Sequence, residues 1–280
     1  MPQAPATAHT HPTALPHPYR FEHPGIQDVL RDMVIHDGEP GPRDILGDFH
    51  LPLTNGGALT SASLAAQRKP LLLIFGSRSC PVMVSGVDGL KQLHARYGAH
   101  VHFVMVQVRE AHPGERIPQP HTFEQKMQHA IELKRVCRLP FDVAVDTIDG
   151  ALHQTLGGRP NSAYLLSPSG TILFRAQWAN ETAAIDEALA AVTSGCAPPV
   201  LTATRTLPAI LKSVGYTTPV LNDAGRGAHA DFWKMALPVA LMATVADRLR
   251  FLPREKRGLA ALLIWLFFAT TATVLILAAR

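Results

Sequence analysis

With 280 residues, 26 basic against 22 acidic side chains and a formal charge of +4, the chain has room for one ordinary domain with appendages or for two small ones. Three scattered cysteines without a CxxC pair exclude a disulfide framework and fit a reducing compartment. Much of the basic excess sits in the 248–257 segment, and no aromatic–basic interleaving calls for a nucleic-acid partner.

Residues 1–24 are rich in Pro, Ala, Thr and His and predict a disordered leader. His9, His11, His17 and His23 match no compact metal spacing, and no metal site is expected. No apolar run opens the chain, so cleavable export is not expected. Residues 26–35 predict a short amphipathic helix that packs Ile26, Val29, Leu30 and Met33 on the main domain.

The pattern is regular from residue 46. A strand over 47–53 turns at Thr54-Asn55-Gly56-Gly57, and a short helix over 61–67 leads to the apolar strand 71–75. A helix over 81–97 and a strand over 101–108 follow. Thr122 with Gln125 makes a capping box for a helix whose buried face carries Phe123, Met127, Ala130 and Ile131. A strand over 141–145, a short helix over 151–156, a hairpin of 163–167 with 171–176 and a helix over 181–192 complete the domain. Alternating strands and helices with an edge hairpin predict an α/β fold with a central mixed sheet. With a lone thiol at the first strand-to-helix turn, that order is thioredoxin-like. The domain is assigned to 25–195.

Residues 196–257 lack clear periodicity and predict a linker, with an interfacial helix over 232–246. The segment 258–279 carries no charge; at roughly 1.5 Å per residue it covers about 33 Å, enough for a bilayer core. It predicts a single-pass transmembrane helix. Arg248, Arg250, Arg254, Lys256 and Arg257 precede it and only Arg280 follows, which puts the large N-terminal part on the cytoplasmic side. A crossing by 235–246 would reverse that orientation.

Chemistry concentrates at two strand ends. The strand 71–75 runs into Phe75-Gly76-Ser77-Arg78-Ser79-Cys80-Pro81, placing a cysteine where helix N–H groups and the helix dipole favour a thiolate. Pro81 suits the first helical position. The next strand ends at Glu110-Ala111-His112, on the sheet edge where ligands bind in open α/β folds. His112 reads evenly as a proton-handling partner of the thiol or as a solvated loop histidine.

The Gly76-Ser77-x-Ser79-Cys80-Pro81 turn, followed by Glu110-Ala111-His112-Pro113, resembles the iodothyronine deiodinases over roughly 46–192. That resemblance implies that Cys80 takes the place of a selenocysteine which removes iodine from an aromatic ring. It assigns Glu110 and His112 to binding and proton supply, Ser77 to the neighbourhood of the reactive centre, and His121 to a second family histidine. It further implies no bound cofactor, an external thiol or protein reductant and a small aromatic halogenated substrate, and it leaves a homodimer open. Cysteine in place of selenocysteine implies slower dehalogenation, Ser162 stands where the family carries an arginine, and the membrane helix follows the domain instead of preceding it. Two other readings stand beside this one: a redoxin-type peroxidase or disulfide reductase acting on a peroxidic or disulfide substrate, and a noncatalytic membrane-tethered module. Met83 occupies the second position of a CxxC, no Pro-x-x-x-Thr-x-x-Cys surrounds Cys80, and Cys137 is the candidate resolving thiol if the fold brings it close.

Overall fold

The computed structural model describes residues 19–278. Most of the expected leader therefore lies outside the described residues, but its last six do not behave as a free tail. Tyr19 Oη is 2.9 Å from His153 Nδ1, Arg20 donates to the Pro120 carbonyl at 3.0 Å, and Pro24 is buried.

The central strand β3 (Leu71–Gly76) is an unbroken apolar run because both faces are covered. It pairs in parallel with β4 (His102–Gln107) and antiparallel with β6 (Ala163–Leu166). Outward from β4 lies β5 (Asp142–Val145), and outward from β6 lie β7 (Ile172–Ala176) and β8 (Thr202–Ala203), giving the sheet order β5-β4-β3-β6-β7-β8. Successive side chains of β3 alternate between two cores. Leu72 and Ile74 join Met83, Leu90 and Leu93 of α3 (Pro81–Tyr97), with Ala130 and Leu133 of α4 (Phe123–Cys137) and Ile185 and Leu189 of α6 (Thr182–Thr193). Leu71, Leu73 and Phe75 meet Leu64 of α2 (Ser61–Gln67), Leu152 of α5 (Ala151–Thr155), and Leu51 and Leu59 of the hairpin β1 (His50–Pro52) and β2 (Ala58–Thr60). A mixed sheet between two helical layers in this order is a thioredoxin-like α/β fold.

Two expectations are corrected. The helix α1 (Ile26–Asp32) forms, but with a rotated face: Ile26 and Leu30 are 59% and 61% exposed, while Asp28, Val29, Asp32 and Met33 turn inward. The 196–257 segment is a helical layer and not a linker. It contains β8 and then α7 (Thr206–Ala224), α8 (Arg226–Met235) and α9 (Leu237–Arg248). Gly215 and Pro219 hide α7 in the sequence, because both residues normally argue against a helix interior. The expected helix over 232–246 is split at Ala236, whose φ of −138° and ψ of 45° leave the helical region before Leu237 and Pro238 open α9. Trp178 Nε1 donates to Thr206 at 2.9 Å, Asn180 Nδ2 to the Ala209 carbonyl at 2.9 Å and Lys212 Nζ to the Asn180 carbonyl at 2.7 Å, fastening α7 to the domain.

The last helix, α10 (Arg254–Ala278), is long and apolar enough over Arg254–Leu275 to cross a membrane, its first four residues being charged; among the described residues it is the only such helix.

Candidate active site

The strand-to-helix turn forms as its residue types require. Cys80 is the N-cap of α3, Pro81 follows at the first helical position, and the Cys80 N–H donates to the Ser77 carbonyl at 3.2 Å. Cys80 Sγ accepts from the Met83 N–H at 3.5 Å, the place a serine or aspartate cap oxygen usually occupies. Gly76 closes the strand where a Cβ would lie 2.6 Å from Met83 Cγ, so the turn packs tightly on the first helical turn.

Burial reverses the electrostatic expectation for this thiol. Only 2% of Cys80 is exposed. Desolvation pushes its pKa up to about 12, against the lowering hydrogen bonds from Met83 and Val82, and the charges of Asp32 and Glu110 push the same way as burial. The resting thiol is therefore protonated at neutral pH.

Glu110, fully buried, holds the two motifs together. Its Oε2 accepts from the Ser79 N–H at 3.0 Å and the Ser79 hydroxyl at 2.5 Å; its Oε1 accepts from Gln107 Nε2 at 3.0 Å and from His129 Nδ1 at 2.9 Å. Ser79 Oγ in turn accepts the His112 N–H at 3.1 Å, and Ser77 Oγ accepts the Ala111 N–H at 3.2 Å. Gln119 clamps the Glu110 backbone from the other side. Burial alone would raise the carboxyl pKa, but hydrogen bonds from His129 and Ser79 with the neighbouring imidazole hold it below the usual carboxylate value.

Ser77 and Glu110 therefore position the cysteine turn by hydrogen bonding, and Glu110 spends its carboxylate on Ser79, Gln107 and His129. The histidine that reaches Glu110 is His129, which the sequence reading missed. It sits on α4, three residues after the buried Lys126 and next to the buried Ala130, a position that nothing in the sequence singles out. His121 stands on the exposed surface before α4, 3.4 Å from Glu22, and does not line the Cys80 cavity.

His112 lines the same cavity as Cys80. Its ring packs edge-on against Phe232 at 5.2 Å, and its Nδ1 is buried without a hydrogen-bond partner. Burial lowers the ring pKa to about 4, against the raising charge of Glu110, so the imidazole is neutral at pH 7 and can accept a proton. Cys80, His112, Arg109 and Asp32 share a cavity of about 110 Å³ whose remaining walls are largely apolar. Asp32 carries a pKa raised to about 6 by burial, which outweighs the lowering charge of Arg109, 3.7 Å away. All three cysteines are free thiols; Cys137 is half-buried and Cys196 exposed. Among the described residues no group of three or more His, Cys, Asp or Glu is arranged to hold a metal ion.

The protonated thiol of Cys80 and the neutral imidazole of His112 line one largely apolar cavity, and the imidazole can take up a proton there. Residues 57–188 match the family model of iodothyronine deiodinase. The thyroxine 5-deiodinases of Ovis aries and Bos taurus are each 26% identical over 123 residues, 40% of this chain. The chain thus spans only about 40% of the length of these relatives, 40% and 39% respectively. Among solved structures, a peroxidoxin (BcpB) of Mycobacterium tuberculosis superposes with TM-score 0.41 at 14% identity, covering 56% of this chain and 98% of that one. A thiol-disulfide oxidoreductase of Bacteroides fragilis superposes with TM-score 0.36 at 20% identity, covering 47% and 89%. Helices α7–α10 lie outside the family match, whereas the Cys80 turn, Glu110 and His112 lie inside it, and over those residues the chain is similar to the iodothyronine deiodinase family.

Proposed function

We propose that the chain is a membrane-anchored thiol oxidoreductase that reductively removes halogen from a small aromatic substrate through Cys80. The observation that carries this reading is the chamber in which Cys80 and a neutral His112 stand together, at a turn locked by Glu110 and inside the segment that matches the deiodinase family. His112 accepts the Cys80 proton as Sγ attacks the halogen. The carbon–halogen bond breaks, a sulfur–halogen bond forms, and the proton passes to the ring carbon, leaving ArH and Cys80–S–X. One external thiol displaces halide and forms a mixed disulfide with Cys80, and a second restores the thiol and leaves as the oxidised reductant. Glu110 acts on this sequence through Ser79 and the turn, without touching substrate.

The α10 helix supplies the anchor, and the basic residues that precede it favour a cytoplasmic catalytic domain. Halide release from an iodophenol or iodothyronine, measured on the full chain with excess dithiol, tests the reading. We expect release with the wild type and none with Cys80→Ser. Rapid peroxide consumption without halide release transfers the chain to the redoxin-type peroxidase reading, and inertness in both assays to the noncatalytic one.

A further inference from the structure

The three helices after the family match build a roof over the cysteine. Ile210 and Thr217 of α7, Phe232 and Met235 of α8 and Val239 of α9 line the same cavity as Cys80, and Phe232 is the ring on which His112 packs. A volume of about 110 Å³ is of the order of the ~150 Å³ apolar cavity that accepts benzene. Two buried polar atoms on residues of this wall, Arg109 Nε and His112 Nδ1, have no hydrogen-bond partner in the protein. Buried polar atoms are normally satisfied, so such a pair marks a place for a ligand's polar end beside an apolar body.

The roof is also part of the base of α10. A Cβ on Gly215 of α7 or on Gly258 of α10 would run into the backbone of Arg254 or Leu211, so the two helices touch main chain to main chain. Val214, Ala243, Ala246 and Ala261 form one buried cluster among α7, α9 and α10. Beyond Ala261, Leu263, Leu266, Phe267 and Phe268 of α10 are more than half exposed. Residues 254–261 cover about 12 Å at the helical rise, so the chamber roof and the start of the apolar span form one packed unit. Phe251, 80% exposed, projects from the turn just before α10.

We propose that the Cys80 chamber takes an apolar, ring-sized small molecule that is delivered from the membrane phase at the foot of α10. This deepens the substrate class of the proposed thiol oxidoreductase and rests on its membrane anchor.

Cys196, exposed on the same chain, is an internal reference thiol. The 280-residue chain in phosphatidylcholine vesicles is labelled at pH 9 with N-methyl-, N-butyl- and N-octylmaleimide, and the Cys80:Cys196 rate ratio is read by peptide mass spectrometry. We expect the ratio to rise at least tenfold from methyl to octyl, and Val239→Trp, which fills the chamber, to abolish the rise without changing Cys196. A ratio that stays constant across the series in membrane-bound wild type overturns the proposal whether or not the variant folds. Release of the chain from vesicles by alkaline carbonate overturns the membrane route. Absence of halide release with a rising ratio overturns the dehalogenation reading alone, leaving the chamber standing.

Discussion

At Cys80 two effects compete. The N–H groups of the first turn of α3 and the helix dipole favour a thiolate by about 0.3–1 kcal/mol in an exposed setting, while removing a charge from water costs several times that. The second wins because the side chain lies beneath the roof, and Asp32 adds a like charge across the cavity. Cys80 should therefore react with iodoacetamide more slowly than Cys196 at pH 8, with a rate still climbing above pH 10. Asp32→Asn removes the opposing charge and should raise the Cys80 rate several-fold at pH 8 while leaving Cys196 unchanged. A Cys80 rate that levels off below pH 8 contradicts the burial argument. Glu110 gives the second prediction at this scale. Its folded pKa is depressed, so the stability it contributes is present above its unfolded value of 4.5 and is lost as pH falls through the lower folded value. His129→Ala removes one of the donors to the buried carboxylate and leaves it on Ser79 and Gln107; it should cost about 1–3 kcal/mol in urea unfolding at pH 7, with a smaller loss near pH 3. An equal cost at both pH values removes the charge from the explanation. His112 could be placed from the sequence because a strand end fixes where it emerges. His129 could not, since a polar residue on an amphipathic helix gives no sign that a buried acid from another strand awaits it.

The elements were legible where local and long-range demands agree. Five apolar residues followed by a small-residue turn and Pro81 specify β3 and α3, and the Thr122–Gln125 box specifies the start of α4, with Gln125 N donating to Thr122 Oγ1 at 3.2 Å. They were not legible where tertiary contact overrides local preference. Pro219 deprives the Gly215 carbonyl of its usual i+4 donor, and Gly215 is also a residue on which the α10 main chain packs. Both residues look like helix breakers alone and become intelligible only as a contact surface between helices. In α1 the apolar spacing pointed Ile26 and Leu30 inward, but the chamber draws in Asp28 and Asp32 instead. Gly215→Leu should therefore separate α7 from α10, destabilising the protein by about 1–3 kcal/mol. At roughly 2–4 °C per kcal/mol that is a fall of several degrees in Tm. An unchanged Tm means that α10 does not press on α7 at that residue.

At the scale of the whole molecule, the proposed anchor makes a prediction about which side of a membrane holds the chamber. The two helices that could have formed a hairpin across the bilayer do not. Alanines 240, 243 and 246 of α9 are buried, the first beside Phe232 and Met235 of α8 and the other two beside Val214 of α7. Twelve residues would cover only about 18 Å, well short of a bilayer core of about 30 Å. Under the proposed single-span anchor, the arginines and lysine at 248–257 lie on the same side as the whole domain, and the positive-inside rule predicts that side to be the cytoplasm. That side also keeps free thiols reduced, as Cys80, Cys137 and Cys196 require if a thiol is to remain the resting state. The exposed Cys196 makes this measurable: a membrane-impermeant maleimide should label it in inverted vesicles or after permeabilisation, and leave it unlabelled in intact cells. Labelling in intact cells places the domain outside. Replacing Arg248, Arg250, Arg254, Lys256 and Arg257 with glutamine should weaken the bias, so that a fraction of Cys196 becomes accessible from outside. If the charges do not set the orientation, that variant behaves like the wild type.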